Sequence, residues 1–419
     1  MNGLSLRQTI VKQAEGSYFT LAFDVPSQVC KLVVSYSYLK QSKRIRGNIV
    51  DLGLEDPDGN LVGWSGSDRR SVFAGEEEST PGYRIAPIAA GTWNIMVGAY
   101  LIREEGCLVE YQIRWELKAD AWYRGDLHLH TTASDGHYTL PEIIRSAQRK
   151  HLDFIALSNH NNVAENAAIP PAHGLTVIPS VEWTHYQGHV NFFGLVAPFE
   201  KSFVAHTEAE AHAIMEHAER QGALISVNHP SCSHCPYRWD KNYFSYMEIW
   251  NGPMRRDNLN AIDWWKSRMR EGKRFTLLGG SDFHRFGFVR LGHPVTAVLA
   301  RSRSAADLLE GLKQGHAYVT GSVRGPVLGM ECEGKTFGDT VVKDAETRLH
   351  ITARNLCFFH VLRVQGKTGE LMRLRPRWGT VDVWLPISEP GYVFLEVTMH
   401  LPFISPRFTS AISNPMYFD

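Results

Sequence analysis

Residues 125–136 read GDLHLHTTASDG, from Gly125 to Gly136. His128 and His130 stand two apart in an apolar run, and side chains two apart on a strand leave the same face. Ser134-Asp135-Gly136 then turns the chain. Two imidazoles on one face can hold one cation together, so the fold depends on what else reaches that point.

Working outward, each short apolar run that follows ends in a residue able to ligate a metal. His160 closes FIALSNHNN, Glu182 closes VIPSVEW, His229 closes LISVNHP, and Asp282 and His284 close LLGGSDFH. His189 opens another run, GHVNFFG, and Met247-Glu248-Ile249-Trp250 is a further strand-like run. Helix starts lie between the runs as capping boxes, Thr139 with Glu142 and Thr207 with Glu210, with Ser304 and Asp307 as a weaker version. Strands alternating with helices imply parallel strands and crossover helices. In a βα barrel the C-terminal strand ends share one face, so ligands spread over 150 positions would converge. Of 19 histidines, 15 fall between His128 and His293, which assigns the chemistry to this middle segment.

The flanks have a different period. Val50, Leu52 and Leu54, then Trp93, Ile95 and Val97, then Tyr111, Ile113, Trp115 and Leu117 alternate every two residues, with turn signals between them. Leu349-Ile351-Ala353, Val381-Val383-Leu385 and Val393-Leu395-Val397 return to that period near the end. The expected organisation is an N-terminal β-sandwich domain over 1–121, a central α/β domain over 122–320 and a C-terminal β-domain over 321–419. The length, 419 residues, agrees with more than one domain, since single cores stop growing at about 250–300 residues. Asp56-Pro57-Asp58-Gly59-Asn60 lacks the ligand spacing of a calcium hand and reads as an ordinary turn.

Composition excludes several classes. Lys plus Arg and Asp plus Glu both total 44, so no global field recruits nucleic acid or anionic lipid. No apolar stretch is long enough to cross a membrane. Six cysteines, at 30, 107, 232, 235, 332 and 357, are too sparse for a disulfide scaffold, and a cytoplasmic location with free thiols is expected. Imidazoles with carboxylates suit Zn, Mn or Fe, and a set this rich exceeds what one four-coordinate ion needs, so two to three divalent transition metals are expected.

As a set, DLHLHT with SDG, FIALSNHN, strand-end Glu182, NHP and GGSDFH resemble the motifs of the PHP (polymerase and histidinol phosphatase) superfamily over about 122–300. The flanking β-domains with GHVNFFG, MEIWNG and SNPMY resemble, more loosely, its CehA/McbA-type metallohydrolases. The resemblance implies a distorted seven-stranded βα barrel. It also implies that His128, His130, Glu182 and Asp282 hold one metal, that Glu182 bridges to a second held by His189 and His229, and that Asp135, His160 and His284 take a third. A metal-bridging hydroxide would be the nucleophile, with Asp282 orienting it and carrying the proton; Arg290 is the candidate for added positive charge. The family usually has Thr-Asp-His where this chain has Ser158-Asn159-His160, which bears on the third group.

Three functions compete: hydrolysis of a small-molecule phosphomonoester or phosphodiester, hydrolysis of an aryl carbamate or carboxylic ester, and non-catalytic binding. The intact ligand set opposes the last, and the many cations expected favour an anionic phosphoryl centre. His185 competes with His189, and His137 with Asp135, as weaker ligand candidates. Cys232 and Cys235 are expected to line a loop over the site. The aromatic segment from Trp239 to Tyr246 is a candidate pocket wall, and one of Trp264 and Trp265 is expected in the core.

Overall fold

The computed structural model describes residues 2–40, 47–376, 379–400 and 408–419. These residues fall into two compact units, Met1–Ala119 and Asp120–Asp419.

The first unit is built from eight strands: β1 (Asn2–Ile10), β2 (Tyr18–Val25), β3 (Val29–Ser37), β4 (Ile49–Glu55), β5 (Leu61–Ser65), β6 (Ser71–Gly75), β7 (Gly91–Leu101) and β8 (Cys107–Leu117). They pair antiparallel in two sheets, ordered β1-β8-β3-β6 and β2-β7-β4-β5. Both sheets turn their apolar sets into one core, which includes Val34 and Ile113 from the first and Leu52 and Ile95 from the second. Period two is therefore burial, as in a β-sandwich. Leu117, at the end of β8, is exposed. Asp56 accepts from the backbone N–H groups of Asp58 and Asn60 and pairs with Arg84, so the loop satisfies its own carboxylate.

In the second unit come β9 (Ala121–Leu129), helix α1 (Leu140–Arg149), β10 (Phe154–Leu157), β11 (Thr176–Ile178), β12 (Ser180–His185), β13 (Gly188–Phe193), α2 (Glu208–Arg220), β14 (Leu224–Val227), β15 (Tyr246–Asn251), α3 (Arg256–Arg270), β16 (Thr276–Gly280), β17 (Val295–Ala300), α4 (Ala305–Lys313) and β18 (Ala317–Thr320). Strands β10 and β14 are buried at every residue, as expected of strands covered on both faces. Reciprocal capping boxes start α1 and α2, and Ser304 caps α4 by accepting from the Asp307 N–H. Trp265 of α3 is wholly buried and Trp264 packs at the edge of the same core.

The fold is mixed α/β, with many strands and few helices. Its central strands form two ladders: β11-β10-β9 leads on to β17 and β18, and β12-β13-β14-β15-β16 stands as a separate sheet. Continuous hydrogen bonding does not close them into a barrel. Isolated parallel bridges, Leu129 with Phe283 and His160 with Glu182, join the two sheets at both margins. Part of the reason is that β12 and β13 form an antiparallel hairpin, where plain βα alternation would give a parallel neighbour.

Later strands extend the first ladder. From β18 it runs through Phe408–Ser413, Gly391–Met399, His360–Gly366 and Gly369–Leu374. A three-stranded sheet of Val327–Glu331, Arg348–Leu356 and Gly379–Pro386 shares a core with it.

Candidate metal centre

Strand β9 brings His128 and His130 to its C-terminal end, both fully buried. Its neighbour β16 ends in Gly279-Gly280, and a Cβ on Gly280 would lie 2.4 Å from the His128 Cβ. That glycine lets the loop bearing Asp282 and His284 close over the histidines. Asp126 ties the same two strands together, accepting from the N–H groups of Ser281 and Gly292 at 2.8 Å and of His128 at 3.2 Å. Burial pushes its carboxyl up to about 6 although these donors oppose the rise. Gly136 completes the Ser-Asp-Gly turn for a steric reason, because a Cβ there would sit 2.4 Å from the His130 carbonyl oxygen. Asp282 and His229 both adopt left-handed backbone, with φ of 53° and 26°, a conformation costly for residues other than glycine and concentrated at functional sites.

The nine side chains expected as ligands come together. Around Glu182, buried on β12, Oε1 lies 3.1 Å from His189 Nδ1, 3.2 Å from His229 Nε2 and 3.3 Å from His128 Nε2. Its Oε2 lies 2.8 Å from His160 Nδ1 and 3.6 Å from His130 Nε2. Asp282 Oδ1 is 3.1 Å from His130 Nε2 and 3.3 Å from His128 Nε2. Toward solvent, Asp135 Oδ1 lies 3.2 Å from His284 Nε2 and 3.6 Å from His160 Nε2. These sets overlap through shared members, with Glu182 central.

The donor chemistry suits cations. His128 Nε2 is buried without a hydrogen-bond partner, although two carboxylate oxygens stand 3.3 Å away. Donor atoms of His128, His130 and Asp282, of His128, Glu182 and His229, of His160, Glu182 and His189, and of His130, Asp135, His160 and His284 converge within 4.8 Å in each group. Imidazole nitrogens and carboxylate oxygens at such spacing can share one ion. Without an ion the charges adjust to one another. Burial disfavours the charged rings of His128 and His229, yet the surrounding carboxylates, with the Cys235 thiol at His229, hold both well above the usual histidine value. Burial would raise the acids Glu182 and Asp282, but His128 above all holds them well below the carboxylate range. For His130 burial prevails and lowers the ring to about 4.

Other sequence candidates lie elsewhere. The His185 Nε2 donates to the Ala205 carbonyl at 2.9 Å, its Nδ1 accepts from the Gln187 N–H, and its ring stacks on Trp239, so both nitrogens are engaged. The His137 backbone N–H donates to the His284 carbonyl, and its ring is in none of the donor groups found among the described residues. Arg290 is exposed on the loop after Asp282. Trp239, Tyr243 and Phe244 pack into the central core, which makes them chiefly support.

Asn159 is buried beside the third group. Its Oδ1 accepts from the Thr131 N–H and the Ser134 hydroxyl, and its Nδ2 donates to Glu165 Oε2 at 3.2 Å. An ionised aspartate could not make that last bond. His160 is oriented by another neighbour, with Nδ1 2.6 Å from the Thr184 hydroxyl.

Glu248 is the residue that sequence reasoning missed. It is buried on β15; Oε1 accepts from His128 Nδ1 at 2.9 Å, and Oε2 accepts from the His229 N–H at 2.9 Å and from Asn251 Nδ2 at 3.2 Å. A carboxylate behind a histidine fixes the tautomer and leaves Nε2 free to ligate. The available signal was an acid inside an otherwise apolar strand.

No family model matches the chain. A stretch of 125 residues is 29% identical to the 3',5'-nucleoside bisphosphate phosphatase of Chromobacterium violaceum; it makes up 28% of this chain and 44% of that protein. The chain thus spans less than half the length of this curated relative. Among solved structures it is similar to a two-domain protein from Bacteroides vulgatus described as containing a predicted PHP-like metal-dependent phosphoesterase, at 19% identity and a TM-score of 0.40, over 70% of this chain and 95% of that one. A putative metal-dependent phosphoesterase from Bifidobacterium adolescentis is similar at 14% identity and a TM-score of 0.29, over 44% and 95% of the two chains.

Proposed function

We propose that this protein is a PHP-like metal-dependent phosphoesterase acting on a small-molecule phosphomonoester or phosphodiester. The observation that carries the reading is the convergence of six histidines and three carboxylates on one point, with Glu182 in contact with five of the rings. The partial identity to a bisphosphate phosphatase supports it.

His128, His130, Glu182 and Asp282 would hold one cation, Glu182, His189 and His229 a second, and Asp135, His160 and His284 a third, with Zn, Mn or Fe as candidates. Bound there, divalent cations supply Lewis acidity, bringing the pKa of a water to about 7 and taking up charge on the attacked phosphoryl oxygens. Glu182 is wholly buried, so its charge serves the cations. Asp282 is only partly buried and can exchange a proton between the cluster and the leaving group. Exposed Asp135 and half-buried His160 and His284 mark the side from which substrate enters. Arg290, exposed on the loop that follows Asp282, stays the candidate for added positive charge at the attacked oxygen.

The same reading treats β9, β10 and β12 to β16 as a distorted seven-stranded barrel, supported by the two isolated bridges, with β-domains at 1–121 and 321–419 before and after it in sequence. It includes a cytoplasmic setting, in keeping with six free cysteines. Membership of the CehA/McbA-type subgroup rests on GHVNFFG, MEIWNG and SNPMY, and brings aryl ester or carbamate hydrolysis as the alternative. The deciding experiment is a panel of phosphomonoesters, phosphodiesters and naphthyl carbamates with metal-reconstituted full-length protein. Turnover of phosphoesters is expected; turnover of carbamates alone would overturn the proposal.

A further inference from the structure

The Cys232-Ser233-His234-Cys235 segment directly follows His229 and has no part in the chemistry above. Cys235 Sγ lies 3.7 Å from His229 Nδ1, within the reach of an N–H···S hydrogen bond, and Cys232 Sγ lies 3.1 Å from Cys235 Sγ. The other ring nitrogen of His229, Nε2, faces Glu182 at 3.2 Å. When Nε2 ligates, Nδ1 carries the hydrogen and needs an acceptor. Ligating histidines ordinarily donate that hydrogen to a carboxylate, a carbonyl or water. His128 follows the rule through Glu248, whereas His229 has a thiol sulfur in that position.

We propose that Cys235 is a positioning residue for His229 and that Cys232 makes this support sensitive to oxidation. The proposal rests on the metal-site reading of His229. With both thiols reduced, Cys235 accepts from Nδ1 and holds the ring toward Glu182. A low-molecular-weight disulfide oxidant converts the pair. The thiolate of one cysteine attacks it and releases one thiol; the second protein sulfur then displaces the other thiol. One sulfur–sulfur bond forms in the protein, one breaks in the oxidant, and two electrons pass to the two released thiols. Closure brings the sulfurs from 3.1 Å to about 2.05 Å, which draws Cys235 toward Cys232 and turns its acceptor lone pairs from Nδ1. The backbone is already joined to this motion, because the Cys232 N–H donates to the His229 carbonyl at 2.8 Å.

The test uses metal-loaded full-length protein treated with oxidised glutathione. Intact mass and peptide mapping read the Cys232–Cys235 disulfide, elemental analysis reads retained metal after dialysis, and selective 15N-histidine labelling reads the His229 ring. Disulfide formation with loss of about one metal equivalent, restored by dithiothreitol and metal, is expected. C232S should keep its metal under oxidant, and C235S should bind the affected metal on the order of tenfold more weakly even when reduced. Disulfide formation that changes neither metal affinity nor the His229 resonances would overturn the coupling, and a pair that stays reduced would overturn the switch. Protein that takes up no metal in any state would defeat the phosphoesterase reading alone. The His229 resonances in reduced and oxidised protein would then still decide the coupling.

Discussion

Glu248 Oε1 accepts a hydrogen bond from His128 Nδ1 at 2.9 Å while Glu248 Oε2 accepts from the backbone N–H of His229. One buried carboxylate thus orients the first expected ligand on β9 and the loop of another after β14. Glu248→Gln keeps the volume but removes the charge, and its amide group turns a donor toward one of those N–H groups. We expect metal affinity to fall by roughly 10- to 100-fold with the fold retained. Metal titration followed by elemental analysis, beside circular dichroism, checks this; unchanged affinity would remove Glu248 from the support of the centre.

Proton linkage gives the second prediction. Metal-free protein holds His128 and His229 protonated against Glu182 and Asp282, so cation binding must expel protons. Metal affinity should therefore fall as pH falls, and calorimetry in buffers of different ionisation heat should report proton release. In the metal-free chain the raised histidines contribute stability fully below 6.5 and lose it as pH rises through their folded values. The lowered acids contribute above 4.5 and 3.8 and lose it as pH falls through theirs. His130 acts in the opposite sense, since its lowered ring costs stability as pH falls from 6.5 toward about 4. The raised rings add no slope below 6.5, where the unfolded chain is protonated too, while lowered His130 still gains stability up to that value, so metal-free Tm should be highest near pH 6.5 and decline above it. A Tm that climbs steadily to pH 8 would contradict the pairing.

Third, Asn159→Asp should destabilise the protein. Asn159 Nδ2 donates to Glu165 Oε2, and the substitution would set two carboxylates against each other at a site where Asn159 is 2% exposed. The loss is expected at about 1–3 kcal/mol at pH 8 and less at pH 5, where the pair can share a proton. Chemical denaturation at both pH values measures it. Equal stability would mean that Asn159 is not specified by Glu165.

What the sequence could disclose follows from the range of the interactions. The converging side chains were legible because most of them sit at or just beyond a strand end, and His128 and His130 announce their shared face by period two alone. The capping boxes of α1 and α2 are local and appear as read. The acid inside the apolar strand β15 marked Glu248 as unusual, but its role was not legible, because its partner lies 120 residues away and only the fold brings them together. Antiparallel pairing of β12 with β13 was within reach of the sequence and was missed: only Tyr186 and Gln187 separate the two strands, too few for a crossover, which needs roughly a dozen or more residues. The aromatic segment after Trp239 looked like a pocket wall because composition cannot tell a ring that faces solvent from one that faces the core.

The last prediction separates phosphoester from acyl chemistry through His160. It lies at the outer side of the cluster, bound through Nδ1 to Glu182 and Thr184 and facing Asp135 with Nε2. A cation held by Asp135, His160 and His284 would add positive charge beside the non-bridging oxygens of a phosphoryl group, whereas a neutral acyl group develops charge on one oxygen only. His160→Ala removes one donor of that outer group and leaves the inner ligands His128, His130, His189, His229 and Asp282 in place. Phosphodiester turnover should fall by on the order of 100-fold or more, with any aryl ester turnover much less affected. Both rates must be measured on the same metal-loaded preparation, with metal content counted for each variant. Loss of one outer metal equivalent together with phosphodiester turnover fits the assignment. Equal loss of both activities would make His160 part of the general support of Glu182, and the outer group would then have no claim on substrate charge.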